Sequence, residues 1–350
     1  MKFLFFFITI IIISYSKIVY SNTINKIYES KFYNIEIKNE VINEAKFREI
    51  NRIKIISFND LLDKILIKSE KNRFNRLINL KNKLDYIVKN IIIENEFISQ
   101  NIYKADIRIN FDDIEIVKLL RDKKINYTDL ESPNFLILAS EENKLFVNGL
   151  SINNSFYNFT NNFENNFINI IIPSLSQNDR FILPYEKILK KDLIALNKIT
   201  SKYNTDFALI INIVKSNHNY NLSLNFFSRN DNSLIEINKL IVPDNTNYYD
   251  QIFLYLNEWW KIKNTINNSK INKYSCFVES ESIEELYLIN SKINSLSQTK
   301  SNIIKKIQFQ NNQQIITFYG DLKIFIFSLL RNNILITINN FDECVIKLLS

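Results

Sequence analysis

Residues 271–338 read INKYSCFVES ESIEELYLIN SKINSLSQTK SNIIKKIQFQ NNQQIITFYG DLKIFIFSLL RNNILITI, the stretch of this 350-residue chain that states an architecture most plainly. Ile271 to Glu279 has the apolar and aromatic content of a strand. Ser282 followed three residues later by Glu285 is a capping-box signature, and Ile283, Leu286, Ile289 and Ile293 then recur at helical spacing. Ile303 to Phe309 and Gln313 to Tyr319 are strand-like runs flanking Gln310-Asn311-Asn312, which suits a tight hairpin. Gly320-Asp321 opens a second helix striped with Leu322, Phe325, Ile326 and Leu329, and Asn333 to Ile338 closes as a strand.

Strand-helix-strand-strand-helix-strand is the ferredoxin-like order, so residues 265–350 are expected to form a βαββαβ domain. Lys263 to Lys270 reads as a polar linker into it. Before that, Asn247 to Lys263 is a helix with Tyr249, Ile252, Phe253, Leu256 and Trp260 on one stripe and Trp259 at its rim. Residues 132–264 are expected as a middle α/β domain. Asn134 to Ser140 is a short buried strand, and Ile168 to Ile172 a strand ended by Pro173. Phe156, Phe159, Phe163 and Phe167 give one apolar helix face. Pro184 starts a helix carrying Leu189, Leu193, Leu196, Ile199 and Tyr203 that stops at Asn204, a residue tolerant of the left-handed conformation. Phe207 to Val214 is apolar throughout, as for a strand covered on both faces. Leu222, Leu224 and Phe226 then alternate, and Leu234 to Val242 is a further strand.

The first domain is expected over residues 22–131, ended by Ser132-Pro133. It has a strand at Phe32 to Lys38, helical spacing from Val41 to Ile67, and a hairpin of Ile91 to Gln100 with Ile102 to Asn110. Ala105, Ile107, Ile109 and Phe111 share one strand face. Asp112 and Asp113 read as a helix N-cap with a first-turn acid rather than as an acid/base pair. The fold class is therefore α+β: two to three small mixed α/β sandwich domains, the last ferredoxin-like.

Composition narrows the chemistry. The chain holds one histidine, two glycines and two cysteines. His218 lies in the polar link Ser216-Asn217-His218-Asn219 with no nucleophile elbow to serve. A zinc site built on several His and Cys cannot be assembled. Gly149 and Gly320 cannot write a dinucleotide fingerprint or a phosphate-cradling loop. Cys276 and Cys344 either pair or stay as separate buried thiols. The formal charge is +7, with bases and acids interleaved rather than gathered in the stripe that a nucleic-acid surface needs. Heavy use of Ile, Asn, Lys, Phe and Tyr matches an AT-rich genome.

At the start, Lys2, the apolar run Phe3 to Ile13 and the polar patch Ser14 to Ser21 have the three-part layout of a signal peptide over residues 1–21. The run is about half of the ~20 residues that cross a bilayer. Val19 and Ser21 suit cleavage after Ser21, with Ser16 as second choice, and an uncleaved anchor is the alternative. Cleavage removes Lys2 and Lys17 and lowers the charge to +5. No cysteine near the cut supports lipid attachment. A periplasmic or secreted location is expected.

Three stretches together resemble a known family. They are Ile109-Asn110-Phe111-Asp112 with Lys118-Leu119-Leu120, Ser132-Pro133 and Leu136-Ile137-Leu138; Ile172-Pro173-Ser174-Leu175 with Asp179; and Ile199 through Ile210. In order and spacing they are similar to the secreted proteobacterial family catalogued as domain of unknown function 2066. The third also looks like the helix-to-strand unit of the amino-terminal domain of the translocation protein TolB. Ser132 stands where that family tends to have Arg, and Asn204 where it tends to have Gly. The resemblance implies export and supplies no catalytic residues.

The function expected is a non-enzymatic accessory or binding module of the cell envelope, with no cofactor, no metal, no nucleic acid and no integral membrane domain after cleavage. An envelope protein is the partner class. One alternative is a periplasmic hydrolase working with carboxylates alone, with Asp106, Glu141 or Asp206 as candidates. The other is an N-terminally membrane-anchored envelope factor. Two buried carboxylates facing one pocket would favour the hydrolase.

Overall fold

The alternation of Ala105, Ile107, Ile109 and Phe111 does bury one strand face, and it sets the first sheet. The computed structural model describes residues 26–77, 84–141, 144–145, 168–174, 176–308, 312–338 and 343–349. The apolar face of Phe156 to Phe167, Gly149 and the segment before Lys26 lie outside these described residues. Strand β1 (Tyr33–Lys38) leads into the 24-residue helix α1 (Ile42–Ile65) and helix α2 (Lys68–Leu77). A short helix α3 (Leu84–Ile87) precedes β2 (Val88–Ile98) and β3 (Ile102–Phe111). The sheet order is β1-β3-β2, antiparallel throughout. Ile53, Phe58, Leu61, Leu62 and Ile65 of α1 are buried against it. Helix α4 (Asp113–Asp122) starts as expected: the Asp112 carboxylate accepts from the Glu115 N–H.

The middle sheet contains β4 (Asn134–Glu141), β5 (Lys144–Leu145) and β6 (Asn169–Ile171), followed by the helical layer α5 (Gln177–Ile182), α6 (Tyr185–Leu189) and α7 (Leu193–Lys202). Strands β7 (Phe207–Ser216), β8 (Asn219–Ser228) and β9 (Ser233–Pro243) and helix α8 (Tyr248–Lys263) complete it. Its order is β5-β4-β7-β8-β9, with β6 on the same edge of β4 as β5. β4 and β7 run parallel, and both faces of this pair are covered. Leu136, Leu138, Ala208 and Ile210 meet the α5–α7 layer, while Phe135, Ile137, Leu209 and Ile211 meet α8. The single helix expected from Pro184 to Tyr203 is two helices. Lys191 takes a left-handed backbone, and Asp192 caps the second helix by accepting from the Ile194 and Ala195 N–H groups. A strong cap in the middle of a periodic run outcompeted its continuation.

The third sheet comprises β10 (Ile271–Val278), α9 (Ile283–Ser295), β11 (Thr299–Lys306), β12 (Asn312–Tyr319), α10 (Leu322–Arg331), β13 (Ile334–Ile338) and β14 (Glu343–Leu348). Its order is β11-β12-β10-β14-β13. The expected βαββαβ order is present, but β13 does not lie beside β10. The chain turns back and inserts β14 between them, antiparallel to β13 and parallel to β10. Cys344 and Ile346 on β14 are buried, an alternation that the sequence carried beyond Ile338. The Ser282 hydroxyl accepts from the Glu285 N–H, but Glu285 reaches back to the N–H of Glu281 rather than of Ser282. Helices packed on three sheets, antiparallel and mixed, make the α+β class.

Candidate functional site

Two of the family-like stretches meet at one carboxylate. Ser176 is the N-cap of α5, and Asp179 at its third position completes a capping box. Asp179 is 5% exposed. Its Oδ2 accepts from the Ser176 N–H at 2.8 Å, the Ser176 hydroxyl at 3.0 Å, the Ser174 hydroxyl at 3.2 Å and the Tyr203 hydroxyl at 2.8 Å. Oδ1 accepts from Lys202 Nζ at 2.5 Å. Burial alone would raise this carboxyl, but the Lys202 ammonium, the Tyr203 hydroxyl and the Ser176 groups outweigh it and lower its pKa to about 2. The first stretch joins the same unit through the sheet, where Leu136 and Leu138 lie beside Ala208 and Ile210. Asn204 ends α7 in the left-handed conformation expected of it. With five donors on its two oxygens and its pKa held far below neutrality, this carboxylate is a poor proton acceptor at pH 7 and clamps α5 to α7.

A second polar cluster lies where the three sheets come together. Residues 125–133 lie outside the helices and strands, and each neighbour holds a different part of them. The Thr128 N–H donates to the Ile65 carbonyl at 2.8 Å, and Trp260 Nε1 donates to the Leu130 carbonyl at 2.8 Å. Arg331 donates to the Glu131 carbonyl. The Ser132 hydroxyl accepts from the Asn169 N–H at 2.6 Å. The stretch expected as a polar linker, Lys263 to Lys270, is drawn into the same junction. Ile266 bridges Tyr127, and Asn268 Nδ2 donates to the Ile125 carbonyl at 2.6 Å. Asn264, Ile266 and Asn268 are buried. The core under α8 continues into that of the first sheet and reaches Ile266 and Ile324, so neither stretch could remain a solvated tether.

Within this junction, Asp129 accepts from the Tyr28 hydroxyl at 3.2 Å. Burial raises its pKa, with Asp113 adding to the rise against hydrogen bonds from Ser297 and Tyr28. Burial likewise raises Tyr28 and Tyr127, reinforced by the Asp129 charge. Lys261, 8% exposed, donates to the Asp63 carbonyl at 3.1 Å and the Leu66 carbonyl at 2.9 Å, and pairs with Glu258 at 2.9 Å. Glu258 also accepts from the Lys68 N–H at 2.9 Å. One helical turn of α8 thus places a cation on the carbonyl end of α1 and an anion on the amide start of α2, matching both helix dipoles. Neither Asp129 nor Lys261 was singled out from the sequence. Asp129 sits in a loop without periodicity, and Lys261 is one of several lysines on an amphipathic helix.

Asp106 and Asp206, two of the carboxylates proposed from sequence, are not brought together. Asp106 lies on the first sheet, accepting from Asn34 Nδ2 at 2.8 Å and Asn95 Nδ2 at 2.7 Å, and these amides lower its pKa. Asp206 pairs with Arg229 beside the middle sheet. The side chain of Glu141 lies outside the described residues. Asp129 and Asp179 share no partner and shift in opposite directions. His218 occupies the exposed two-residue turn between β7 and β8, with Asn217 at positive φ. Trp260 is buried, and Trp259 packs at the rim against Phe226. Cys276 and Cys344 face each other in register on β10 and β14 and form a disulfide. Among the described residues, no group of three or more His, Cys, Asp or Glu side chains gathers, and no helix is long and apolar enough to cross a membrane.

No protein-family profile and no curated protein matches this chain. Among solved structures it is similar to the C-terminal domain of LpoB from Salmonella enterica, at 15% sequence identity over 37% of this chain and 94% of that one, with a TM-score of 0.24. A likeness of that extent carries nothing about function.

Proposed function

We propose that the chain is an exported, non-enzymatic accessory or binding module of the cell envelope, related to the family of domain of unknown function 2066. The observation that carries this reading is the Cys276–Cys344 disulfide. The only two cysteines of the sequence, far apart in the chain, are placed in register on adjacent strands and buried. Such a bridge persists in an oxidising compartment and is rare in the cytosol. The motif-bearing residues add support. Asp179, Lys202, Tyr203 and Ser132 spend their polar groups on holding α5, α7 and β6 in place, which suits a scaffold.

Export and role are tested in the host cell. Mass spectrometry of the purified protein should show Asn22 as the first residue and no free thiol. In-cell crosslinking should then enrich a defined envelope protein complex. Reduced cysteines on an uncleaved chain starting at Met1 and recovered from the cytosol would overturn the reading. So would hydrolysis of an envelope polymer that is lost in Asp106→Asn or Asp206→Asn.

A further inference from the structure

The outer side of the α5–α7 layer is built unlike a solvated helical face. Its inner side is spent on the middle sheet through Leu183, Ile188, Ala195, Leu196 and Ile199. Outward it presents Phe181, 84% exposed, and Ile194, 70% exposed. Lys187, Lys190, Lys191 and Lys198 of the same layer are exposed, and Ile194 and Lys198 follow one another at i, i+4 along the solvent stripe of α7. The acids of this segment do not balance them. Asp179 is buried on Lys202, Asp192 is spent capping α7, and Glu186 alone among the acids of residues 176–202 is exposed. Lys187, Lys190, Lys191 and Lys198 make no ion pair among the described residues.

We infer that this layer is a peripheral docking surface for an anionic lipid bilayer. Large apolar side chains ringed by unpaired cations are the composition that settles at the headgroup boundary. The cations meet the surface charge and the apolar groups enter the acyl boundary. A soluble acidic partner would need the lysines but gives no reason to leave Phe181 in water. The Asp179–Lys202 clamp fixes α5 against α7, so the helices that carry Phe181 and Ile194 are held as one unit. This inference is independent of the export reading, since vesicle binding and disulfide formation are measured separately.

The test is flotation of the full exported protein with vesicles of phosphatidylglycerol and phosphatidylcholine against vesicles of phosphatidylcholine alone. The readout is the difference between the two, because a retained residue 1–21 segment would bind both. Binding should favour the anionic vesicles and weaken as salt rises. Lys187→Gln with Lys198→Gln should weaken it about 25-fold, each surface cation contributing about fivefold. Phe181→Ser should weaken it about tenfold, a benign change at an exposed site. Equal binding to both vesicle types would overturn the proposal. So would undiminished binding of the lysine variant to the anionic vesicles, or complete competition by polyglutamate with no effect of Phe181→Ser, which would assign the surface to a soluble acidic partner.

Discussion

Replacing both cysteines, Cys276→Ala with Cys344→Ala, removes a cross-link between residues 68 apart in sequence. In the chain-entropy description, closing such a loop withdraws about 15 cal/mol/K from the unfolded ensemble, or about 4.4 kcal/mol at 25 °C. Alanine leaves a small void between β10 and β14, which adds roughly 1 kcal/mol. The variant should therefore lose about 5.4 kcal/mol against the oxidised protein, a large share of a typical stability. Equilibrium urea unfolding, followed by far-ultraviolet dichroism and by tryptophan fluorescence, measures it. The two probes add a second condition. Trp259 and Trp260 sit on α8, away from the bridge, but Trp260 lies 6.0 Å from Phe327 of α10 and donates to the Leu130 carbonyl. If the junction makes the three sheets one cooperative unit, the fluorescence transition shifts with the dichroism transition. Reducing the wild type should reproduce the double variant. Two titratable thiols in the denatured, unreduced protein would refute the reasoning, as would a loss below about 1 kcal/mol.

Three further outcomes are expected. Asp179→Asn should cost about 2.5 kcal/mol at pH 7. Because the folded carboxyl is held near 2, that stabilisation is complete above about pH 4 and lost as pH falls through about 2, so wild type and variant should converge there in acid unfolding curves. Asp129 shifts the other way: its raised folded pKa gives stability that is present below the unfolded value of about 3.9 and lost as pH rises through the folded one. Asp129→Asn keeps an acceptor for Tyr28 and should be more stable than wild type at pH 7 but not at pH 3, by thermal melting at both. Lys261→Met leaves the Asp63 and Leu66 carbonyls and Glu258 without their cation, and should cost about 3 kcal/mol in urea titration.

Local signals in the sequence located most elements. Period-two alternation gave the buried face of β3, and helical spacing gave α1, α8, α9 and α10, because burial on one side imposes those periods wherever the partner lies. Caps were legible where a short polar side chain meets its own backbone, as at Asp112 and Ser282. The break at Lys191-Asp192 was not legible, since an apolar stripe continues across it. The clamp at Asp179 was half legible: the stretches holding Asp179 and Lys202-Tyr203 stood out, but nothing in their order says that they touch.

By itself the sequence determined the α+β class, the strand and helix periods and the narrow range of side-chain chemistry on offer, since composition and periodicity are properties of neighbours along the chain. Only the tertiary structure decided that β14 lies between β10 and β13, that Cys276 meets Cys344, and that residues 125–133 and 264–270 are held at the junction of the three sheets. Each depends on which distant backbone groups and apolar faces satisfy one another. A buried N–H or carbonyl must find a partner, yet the sequence does not record which one it finds.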